Sequence, residues 1–208
     1  MEVRGRLVAF EGIDGSGKTT QARIFANETG AVFTSEPGST PLGAQLRRLL
    51  LDPDLPDPSV RAEALLMAAD RAQHVFEVIE PELSAGIWVV TDRFSPSTLA
   101  YQGYGRGLQV SELRTLVNWA SGGLEPDLIV LLDVPLDLAR SRISRGGDDR
   151  LERLDIAFHE RVSEGYRSLA RESPERWVIV DGVGTKAEIA SHVRDLVAKR
   201  IGPIPVRR

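Results

Sequence analysis

The sequence contains no cysteine, and lysine is scarce because nearly all of its 26 basic residues are arginines. The absence of cysteine excludes a disulfide framework and a thiolate metal site. No apolar run approaches the ~20 residues of a membrane helix, and the first 12 residues lack the apolar region of a signal peptide. The formal net charge of −4 argues against a general nucleic-acid binder. We therefore expect a soluble cytoplasmic protein with neither a membrane nor a nucleic acid as partner.

The length of 208 residues suits a single domain that spans residues 1–208. Short apolar runs alternate with longer helical patterns along it. The runs are Leu7–Phe10, Ala31–Thr34, Ile87–Thr91, Leu128–Asp133 and Trp177–Asp181. Near-continuous apolar strands separated by helices predict an α/β fold, with a five-stranded parallel sheet covered by helices on both faces.

Helical patterns occupy the segments between these runs. They cover residues 18–28, 41–51, 59–85, 111–121, 136–144, 151–172 and 185–201. Thr185 and Glu188 have the spacing of a capping box, and Pro81 is expected to kink or interrupt the long third helix. The polar, glycine-broken stretch 144–150 is a candidate lid.

A glycine-rich stretch follows the first apolar run and precedes the first helical pattern. Its residues are Gly12, Ile13, Asp14, Gly15, Ser16, Gly17, Lys18 and Thr19, followed by Thr20. Residues 12–19 match the P-loop pattern G-x-x-x-x-G-K-[ST] in full, in the strand–helix context that the pattern requires. Such a loop turns successive N–H groups toward phosphates, the lysine reaches the β- and γ-phosphates, and the threonine holds Mg²⁺. The alternative is a tight turn that is merely rich in glycine.

The P-loop predicts binding of a nucleoside triphosphate, with Mg²⁺, but does not specify the reaction. A GTPase would also need a guanine-reading Asn-Lys-x-Asp, which the sequence lacks, and motor ATPases are larger. A small kinase therefore fits best. The alternative from another class is a module that holds ATP without transferring phosphate.

A second informative stretch begins where the third apolar run ends, at Asp92 and Arg93. In an open α/β sheet the carboxyl ends of the strands form the ligand crevice, where an arginine can bind a phosphate through two N–H groups. Tyr101 and Gln102 follow with a ring and an amide. The competing interpretation is that Asp92 and Arg93 form a structural ion pair.

The stretch VVTDRFSPSTLAYQG (89–103) resembles the D-R-[YH]-x-x-S-x-x-A-Y-Q-G signature of bacterial thymidylate kinases. Three further segments agree in order and spacing: TSEPGSTPLG (34–43), RAEALLMAADRAQH (61–74) and GGLEPDLIVLLDV (122–134). The resemblance covers nearly the whole chain. It implies the P-loop NTPase fold with a short lid, a homodimer, and the phosphorylation of dTMP to dTDP with ATP as donor and Mg²⁺ as cofactor.

The resemblance also implies roles for individual residues. Arg93 would bind the dTMP phosphate, with Arg47 close to it, and Asp14 would accept the 3′-hydroxyl. Tyr101 would exclude a 2′-hydroxyl. The remaining substrate-binding candidates are Arg71 at thymine O4, Thr98 and Gln102 at the base edge, Met67 under the base, and Glu36.

Catalytic and metal-binding candidates complete the set. Thr19 and Asp92 are the candidate metal ligands, and Lys18 is expected to act with Arg93 in catalysis. The lid arginines Arg145 and Arg150 are expected to meet the transferring phosphoryl group, with Arg145 the first choice.

The sequence departs from the family pattern at four positions. Ser35 replaces an arginine, Ser39 a glycine, Phe94 a tyrosine or histidine, and Met67 a phenylalanine. For Arg47 and Arg71, which lie on helical patterns, the competing interpretation is a solvated helix face. A kinase for another nucleoside monophosphate is the alternative within the enzymes.

Overall fold

The computed structural model describes residues 4–143 and 149–204. Within them five strands form one parallel sheet in the order β2-β3-β1-β4-β5. The strands are β1 (Leu7–Glu11), β2 (Val32–Ser35), β3 (Val89–Asp92), β4 (Leu128–Asp133) and β5 (Trp177–Asp181). All neighbouring pairs are parallel, which confirms the predicted sheet.

Nine α-helices are present in the described part of the chain. They are α1 (Lys18–Thr29), α2 (Pro41–Leu51), α3 (Val60–His74), α4 (Glu80–Ser84), α5 (Ser95–Thr98), α6 (Val110–Ala120), α7 (Leu136–Arg142), α8 (Ile156–Glu172) and α9 (Lys186–Ile201). Two π-helical turns join neighbouring helices, at Val75–Ile79 and at Leu99–Gly105. None of the described helices is long and apolar enough to cross a membrane.

Both faces of the sheet are buried, because alternate residues of each central strand enter opposite cores. In β1, Val8 and Phe10 belong to a core that includes Phe25 of α1 and Val193 of α9. Leu7 and Ala9 belong to the other core, which includes residues of α3, α6 and α8. The predicted helices on both faces are therefore confirmed.

The long third helix is interrupted as the sequence predicts, and the interruption is a π-helical turn. Val75–Ile79 joins α3 to α4, and Pro81 lies in the first turn of α4. Proline has no N–H to donate to the carbonyl four residues earlier, so a regular α-helix cannot run through this point.

Two sequence expectations for helices were wrong. The helix predicted from 151 begins only at Ile156, because the side chain of Asp155 accepts the Phe158 N–H at 2.7 Å and caps the helix there. No helix was predicted at 95–105, where α5 and the second π-helical turn lie. Gly105 weakens the local helical signal but is needed for packing, since an added Cβ would lie 2.6 Å from the Phe158 ring.

Candidate active site

The P-loop lies at the centre of the sheet, between the carboxyl end of β1 and the first turn of α1. Gly15 and Gly17 adopt φ of 78° and 91°, which L side chains rarely tolerate. A Cβ on Gly15 would also lie 2.1 Å from the Ala139 carbonyl oxygen. The loop therefore requires glycine for backbone conformation at Gly17, which the motif specifies, and for the close approach to α7 at Gly15, which the motif leaves open.

A donor cavity of about 490 Å³ lies beside the P-loop. It is lined by Gly15, Ser16, Gly17, Lys18, Thr19, Thr20, Gln21, Arg142, Gly184, Lys186 and Ile189. Arg142 donates to the carbonyl oxygens of Ser16 at 3.3 Å and of Gly182 at 3.1 Å. It therefore ties the P-loop to the loop that follows β5. Arg142 was not among the residues that the sequence assigned to a site.

An acceptor cavity of about 450 Å³ lies at the carboxyl ends of β2 and β3. The structure brings together every predicted substrate-binding residue in its lining. These are Asp14, Glu36, Arg47, Met67, Arg71, Arg93, Thr98, Tyr101 and Gln102. Lys18 and Thr19 line both cavities, which joins the P-loop directly to the second site.

Asp14 is the electrostatic centre between the two cavities. Its carboxylate accepts hydrogen bonds from Lys18 Nζ at 3.2 Å, from Arg93 Nη2 and from the Tyr101 hydroxyl at 2.6 Å. Burial alone would raise the pKa of Asp14, but the charges of Arg93 and Lys18 outweigh it and hold that pKa well below its ordinary value. Asp14 is therefore ionised at neutral pH and aligns both cations.

Arg93 occupies an unusual backbone conformation. Its φ is 72°, and it is the one non-glycine residue with positive φ in the described part of the chain. Its guanidinium Nη1 donates to Gly12 O at 3.2 Å, Ser97 Oγ at 3.1 Å and Tyr166 OH at 3.0 Å. Strained backbone that persists in a site is typical of functional positions. The Asp92–Arg93 ion pair considered from the sequence is replaced by the pair of Arg93 with Asp14.

Thr19 and Asp92 form a pair of hard oxygen ligands at the junction of the cavities. The Thr19 hydroxyl donates to Asp92 Oδ2, while the buried Asp92 Oδ1 has no hydrogen-bond partner among the described residues. An orphaned carboxylate oxygen beside a hydroxyl fits Mg²⁺, which binds few protein ligands together with substrate phosphates. No cluster of three or more acidic or histidine side chains suitable for a metal occurs within residues 4–143 and 149–204.

Arg71 is fully buried, so the alternative of a solvated helix arginine is excluded. Glu36 accepts from its Nε at 2.9 Å, and Nη1 donates to Thr98 Oγ1 at 3.0 Å. Glu36 also contacts His74 Nδ1 at 3.0 Å. These partners fix the plane of the guanidinium and leave some of its five N–H donors for a ligand.

Gln102 and Arg47 are fixed by single contacts. Gln102 donates through Nε2 to Glu63 Oε1 at 2.9 Å. Because a carboxylate accepts hydrogen bonds, this contact identifies which terminal atom of the Gln102 amide is the nitrogen. Arg47 is exposed on α2, as the alternative of a solvated helix residue predicts, although its Nη1 donates to Pro37 O at 2.9 Å. Met67 is half-buried in the same cavity wall.

Asp70 supports the loop that carries Glu36, a role that the sequence did not indicate. Its Oδ1 accepts the Gly38 N–H at 3.0 Å. Burial, and next the nearby charge of Glu36, raise the pKa of Asp70 to about 6. In the unfolded chain that carboxyl group titrates at its ordinary pKa of about 3.9.

Asp70 should make the fold less stable as the pH rises toward neutrality. A carboxyl group with a raised pKa in the folded state contributes stability that is complete below about pH 3.9 and is lost as the pH rises through about 6. We expect this group to lower the free energy of unfolding by about 1–3 kcal/mol across that range. Asp70→Asn keeps an acceptor for Gly38 and should flatten this dependence in urea unfolding at pH 4.5 and 7. The exposed Asp195→Asn is the matched control, and equal pH dependence in wild type and Asp70→Asn would contradict the assignment.

The two lid arginines differ in what the structure shows. Arg145, with most of the candidate lid, lies outside the described residues. Arg150 is buried, and its guanidinium donates to Leu49 O at 2.9 Å, to Leu50 O at 3.1 Å and to Pro56 O at 3.2 Å. Arg150 therefore holds the end of α2 in this arrangement, and its catalytic role stays a prediction.

Several residues in the acceptor cavity were not found from the sequence. Arg23 and Phe33 line it, and the Arg23 guanidinium carbon lies 4.2 Å from the Phe33 ring centroid. Near the lid the cavity is lined by Asp149, Leu151 and Glu152. Glu11 and Tyr166 lie behind Arg93. None of these residues carries a sequence signal of its own, because their roles depend on which elements pack together.

Comparisons with known proteins relate this chain to one family. The family model for thymidylate kinase matches residues 10–193. The chain is 47% identical over 193 residues to a thymidylate kinase of Carboxydothermus hydrogenoformans, covering 90% of this chain and 94% of that protein. It is 43% identical over 201 residues to a thymidylate kinase of Cupriavidus metallidurans, covering 94% and 99%.

A solved structure is similar as well. The crystal structure of thymidylate kinase from Ehrlichia chaffeensis superposes with a TM-score of 0.76 at 29% identity, covering 93% of this chain and 99% of the other. The sequence comparisons and the structural comparison therefore indicate the same family.

Proposed function

Because this chain belongs to the thymidylate kinase family, we propose that it transfers the γ-phosphoryl group of ATP to dTMP and releases dTDP and ADP. The observation that carries this proposal is the continuity of the two cavities. Lys18 and Thr19 of the P-loop line both the donor cavity and the cavity that holds the predicted dTMP-binding residues. A phosphoryl group held at the P-loop would therefore face an acceptor in the second cavity.

The reaction is a direct in-line transfer in this proposal. An oxygen of the dTMP phosphate attacks the γ-phosphorus as the bond to the ADP oxygen breaks. The acceptor is already an anion at neutral pH, so no general base is required, and catalysis depends on positioning and charge stabilisation. Lys18 contacts the β- and γ-phosphates, and Arg93 binds the acceptor phosphate. Asp14 accepts the 3′-hydroxyl of dTMP and holds both cations in place.

Recognition of thymidine uses donors that are already oriented. Arg71, fixed by Glu36 and Thr98, is directed at thymine O4. Gln102 and Thr98 face the base edge, and Met67 covers the base with a polarizable sulfur. The Tyr101 hydroxyl donates to Asp14 at 2.6 Å, which supports the proposed role of this side chain in excluding a ribose 2′-hydroxyl.

Mg²⁺ belongs to the proposal as the partner of ATP. Thr19 and Asp92 would hold it, as the orphaned Asp92 Oδ1 supports. The ion supplies charge neutralisation on the phosphates when it is bound. Arg47 lies near the acceptor phosphate and Arg145 supplies the lid cation.

A homodimer and a cytoplasmic location also form part of the proposal. Exposed apolar side chains on neighbouring elements support the homodimer. Leu65 on α3 is 58% exposed, and Phe76 on the π-helical turn that follows α3 is 76% exposed. Trp119 is 80% exposed and lies on α6, which packs against α3. Large exposed apolar side chains in neighbouring elements are typical of an interface. Sedimentation analysis that finds only monomers would remove the homodimer from the proposal.

The substrate is tested by measuring ADP release with ATP against dTMP, dUMP, dCMP, dGMP and dAMP. We expect dTMP to be preferred, dUMP to react less well, and dCMP to be rejected, because cytosine presents an amino group to the donor Arg71. A site built on hydrogen bonds discriminates by up to ~10⁴-fold. Equal turnover of dCMP and dTMP would contradict the recognition of the base, and turnover of a purine monophosphate alone would assign the chain to a different substrate. ATP binding without ADP release for any member would favour a non-catalytic module.

A further inference from the structure

Glu11 is a buried carboxylate that the proposed reaction does not use. It is the last residue of β1, immediately before the P-loop, and it is 0% exposed. Its Oε1 accepts the Phe94 N–H at 2.8 Å. Its Oε2 accepts the hydroxyls of Ser97 at 2.6 Å and of Tyr166 at 3.0 Å. An isolated charge at this depth would be costly, so three donors converging on one carboxylate require an explanation.

The two hydroxyls that donate to Glu11 also accept from Arg93. Arg93 Nη1 lies 3.1 Å from Ser97 Oγ and 3.0 Å from Tyr166 OH. Because a guanidinium only donates hydrogen bonds, both hydroxyls accept from Arg93, and their protons are directed to Glu11 Oε2 or between the two hydroxyls, which lie 2.8 Å apart. The carboxylate thus acts on the guanidinium through two hydroxyls, without touching it.

Glu11 also holds the strained backbone of Arg93. The N–H of Arg93 donates to Phe10 O at 2.9 Å, and the next N–H, that of Phe94, donates to Glu11. The end of β1 therefore fixes the residue with φ of 72° on both sides. A left-handed conformation in a non-glycine residue persists only when its surroundings enforce it.

The contacts of Arg93 divide between its two terminal nitrogens. Nη1 is anchored inward by Gly12 O and by the two hydroxyls that Glu11 orients. Nη2 contacts Asp14 and the Tyr101 hydroxyl, both of which line the acceptor cavity. This division directs Nη2 toward residues of the acceptor cavity while Nη1 is held on the opposite side.

We propose that Glu11 is a positioning residue for the acceptor phosphate site, holding Arg93 through the Phe94 N–H and through the hydroxyls of Ser97 and Tyr166. This inference rests on the proposed function, since it assumes that Arg93 binds the phosphate of the monophosphate substrate. Burial raises the pKa of Glu11, while its hydrogen bonds and the charge of Arg93 oppose that rise. The competing interpretation is a carboxylate that only stabilises the core.

The test begins with Glu11→Gln, which keeps the shape and an acceptor for Phe94. Its amide nitrogen would donate toward the two hydroxyls and turn their protons toward Arg93. We expect the Kd for dTMP, measured by calorimetry, to rise about 10–100-fold, the effect of losing a charge-assisted hydrogen bond. The Kd for ATP should change less than about twofold, because the phosphate-binding N–H groups of the P-loop are not altered. A role confined to core stability would instead lower Tm and weaken both ligands together, and that result would overturn the proposal.

Tyr166→Phe supplies a second variant that does not alter the buried charge. It removes one of the two bridging hydroxyls and should weaken dTMP about 3–10-fold, the effect of one neutral hydrogen bond. Tyr104→Phe is the matched control, because the Tyr104 hydroxyl lies outside this network, and it should leave dTMP affinity unchanged. The double variant Glu11→Gln/Tyr166→Phe should weaken dTMP by less than the product of the single effects, as residues in one network do.

The outcomes separate this inference from the proposed function. If the wild-type protein does not phosphorylate dTMP, the proposed function fails. The positioning role is then tested by measuring the same variants with the monophosphate that the wild-type protein does phosphorylate. If wild type is active and Glu11→Gln binds dTMP as wild type does, the positioning role fails alone. If Glu11→Gln does not fold, the test depends on Tyr166→Phe. Equal dTMP affinity in Tyr166→Phe and Tyr104→Phe would then overturn the positioning role.

Discussion

Replacing Arg93 by alanine is expected to lower kcat/KM for dTMP by about 10³-fold or more, which would be among the largest effects of any single change in this chain. Removing one preorganised charge stabiliser from an active site costs ~10²–10³-fold, and in the proposed function this arginine also binds the acceptor phosphate. The change would in addition leave Asp14 with Lys18 as its one remaining cationic partner among the described contacts. Steady-state kinetics with dTMP and with ATP varied separately measure the effect, and KM for ATP should change little.

Two further variants separate the side chain of Arg93 from its backbone. Arg93→Lys should restore little activity, because an ammonium group cannot reproduce the guanidinium contacts to both Ser97 and Asp14. Arg93→Gly loses the same charge as the alanine variant but adopts positive φ freely, so it should be more stable than Arg93→Ala by about 1 kcal/mol with equally low activity. Kinetics close to wild type in the alanine variant would contradict the role of Arg93 in phosphate binding.

The second large effect is expected for Arg145. Ile13, Asp14 and Ser16 of the P-loop are not basic, Lys18 is assigned to the β- and γ-phosphates of ATP, and Arg142 is bound to P-loop carbonyls. A further cation must therefore meet the transferring phosphoryl group, and the lid arginine fits that role. Such an arginine acts mainly in the transition state and contributes about 10³–10⁵-fold in kcat. Arg145→Ala should depress kcat strongly while the Kd for dTMP stays nearly unchanged.

Neighbouring arginines supply the controls for Arg145. Arg140, exposed on α7, is the matched variant, and Arg140→Ala should leave kcat unchanged. Arg145→Lys should rescue poorly, since an ammonium group lacks the guanidinium fork. Arg150→Ala should mainly destabilise the fold, because it leaves the buried carbonyl of Leu50 and the carbonyl of Leu49 without this donor, a loss of about 1–3 kcal/mol. Near-normal kcat in Arg145→Ala and in the Arg145/Arg150 double variant would show that these arginines have no catalytic part.

The elements that were predictable are those whose signals are local. The apolar runs located all five strands to within two residues, and Thr185 with Glu188 marked the start of α9, where the structure has the complete capping box. The P-loop was predictable because its conformation depends on glycines within a few residues of one another. The helix at 95–105 was not, since Gly105 lowers helical propensity and only its packing against Phe158 explains it.

The residues that line the acceptor cavity were predictable only in part. Arg93 was indicated by its position at the end of an apolar run, whereas Arg47 and Arg71 were indistinguishable from solvated helix residues without a family resemblance. The structure buries Arg71 between Glu36 and Thr98, which are 35 and 27 residues away in the chain. No local pattern specifies such a triad, because it requires α3 to pack where the ends of β2 and β3 meet.

By itself, the sequence determined the strands, the P-loop and the chemical type of the residues at the strand ends. The tertiary structure decided which of those residues meet. Asp14 contacts Arg93 and Tyr101 across 79 and 87 residues, and Glu11 contacts Tyr166 across 155. The strand order β2-β3-β1-β4-β5 places the ends of β1 and β3 side by side. The packing of α8 against α5 and the second π-helical turn brings Tyr166 to Glu11. Periodicity and propensity act over a few residues, so they set each element but not its neighbours. The order of the strands emerges only when all the apolar faces are buried together.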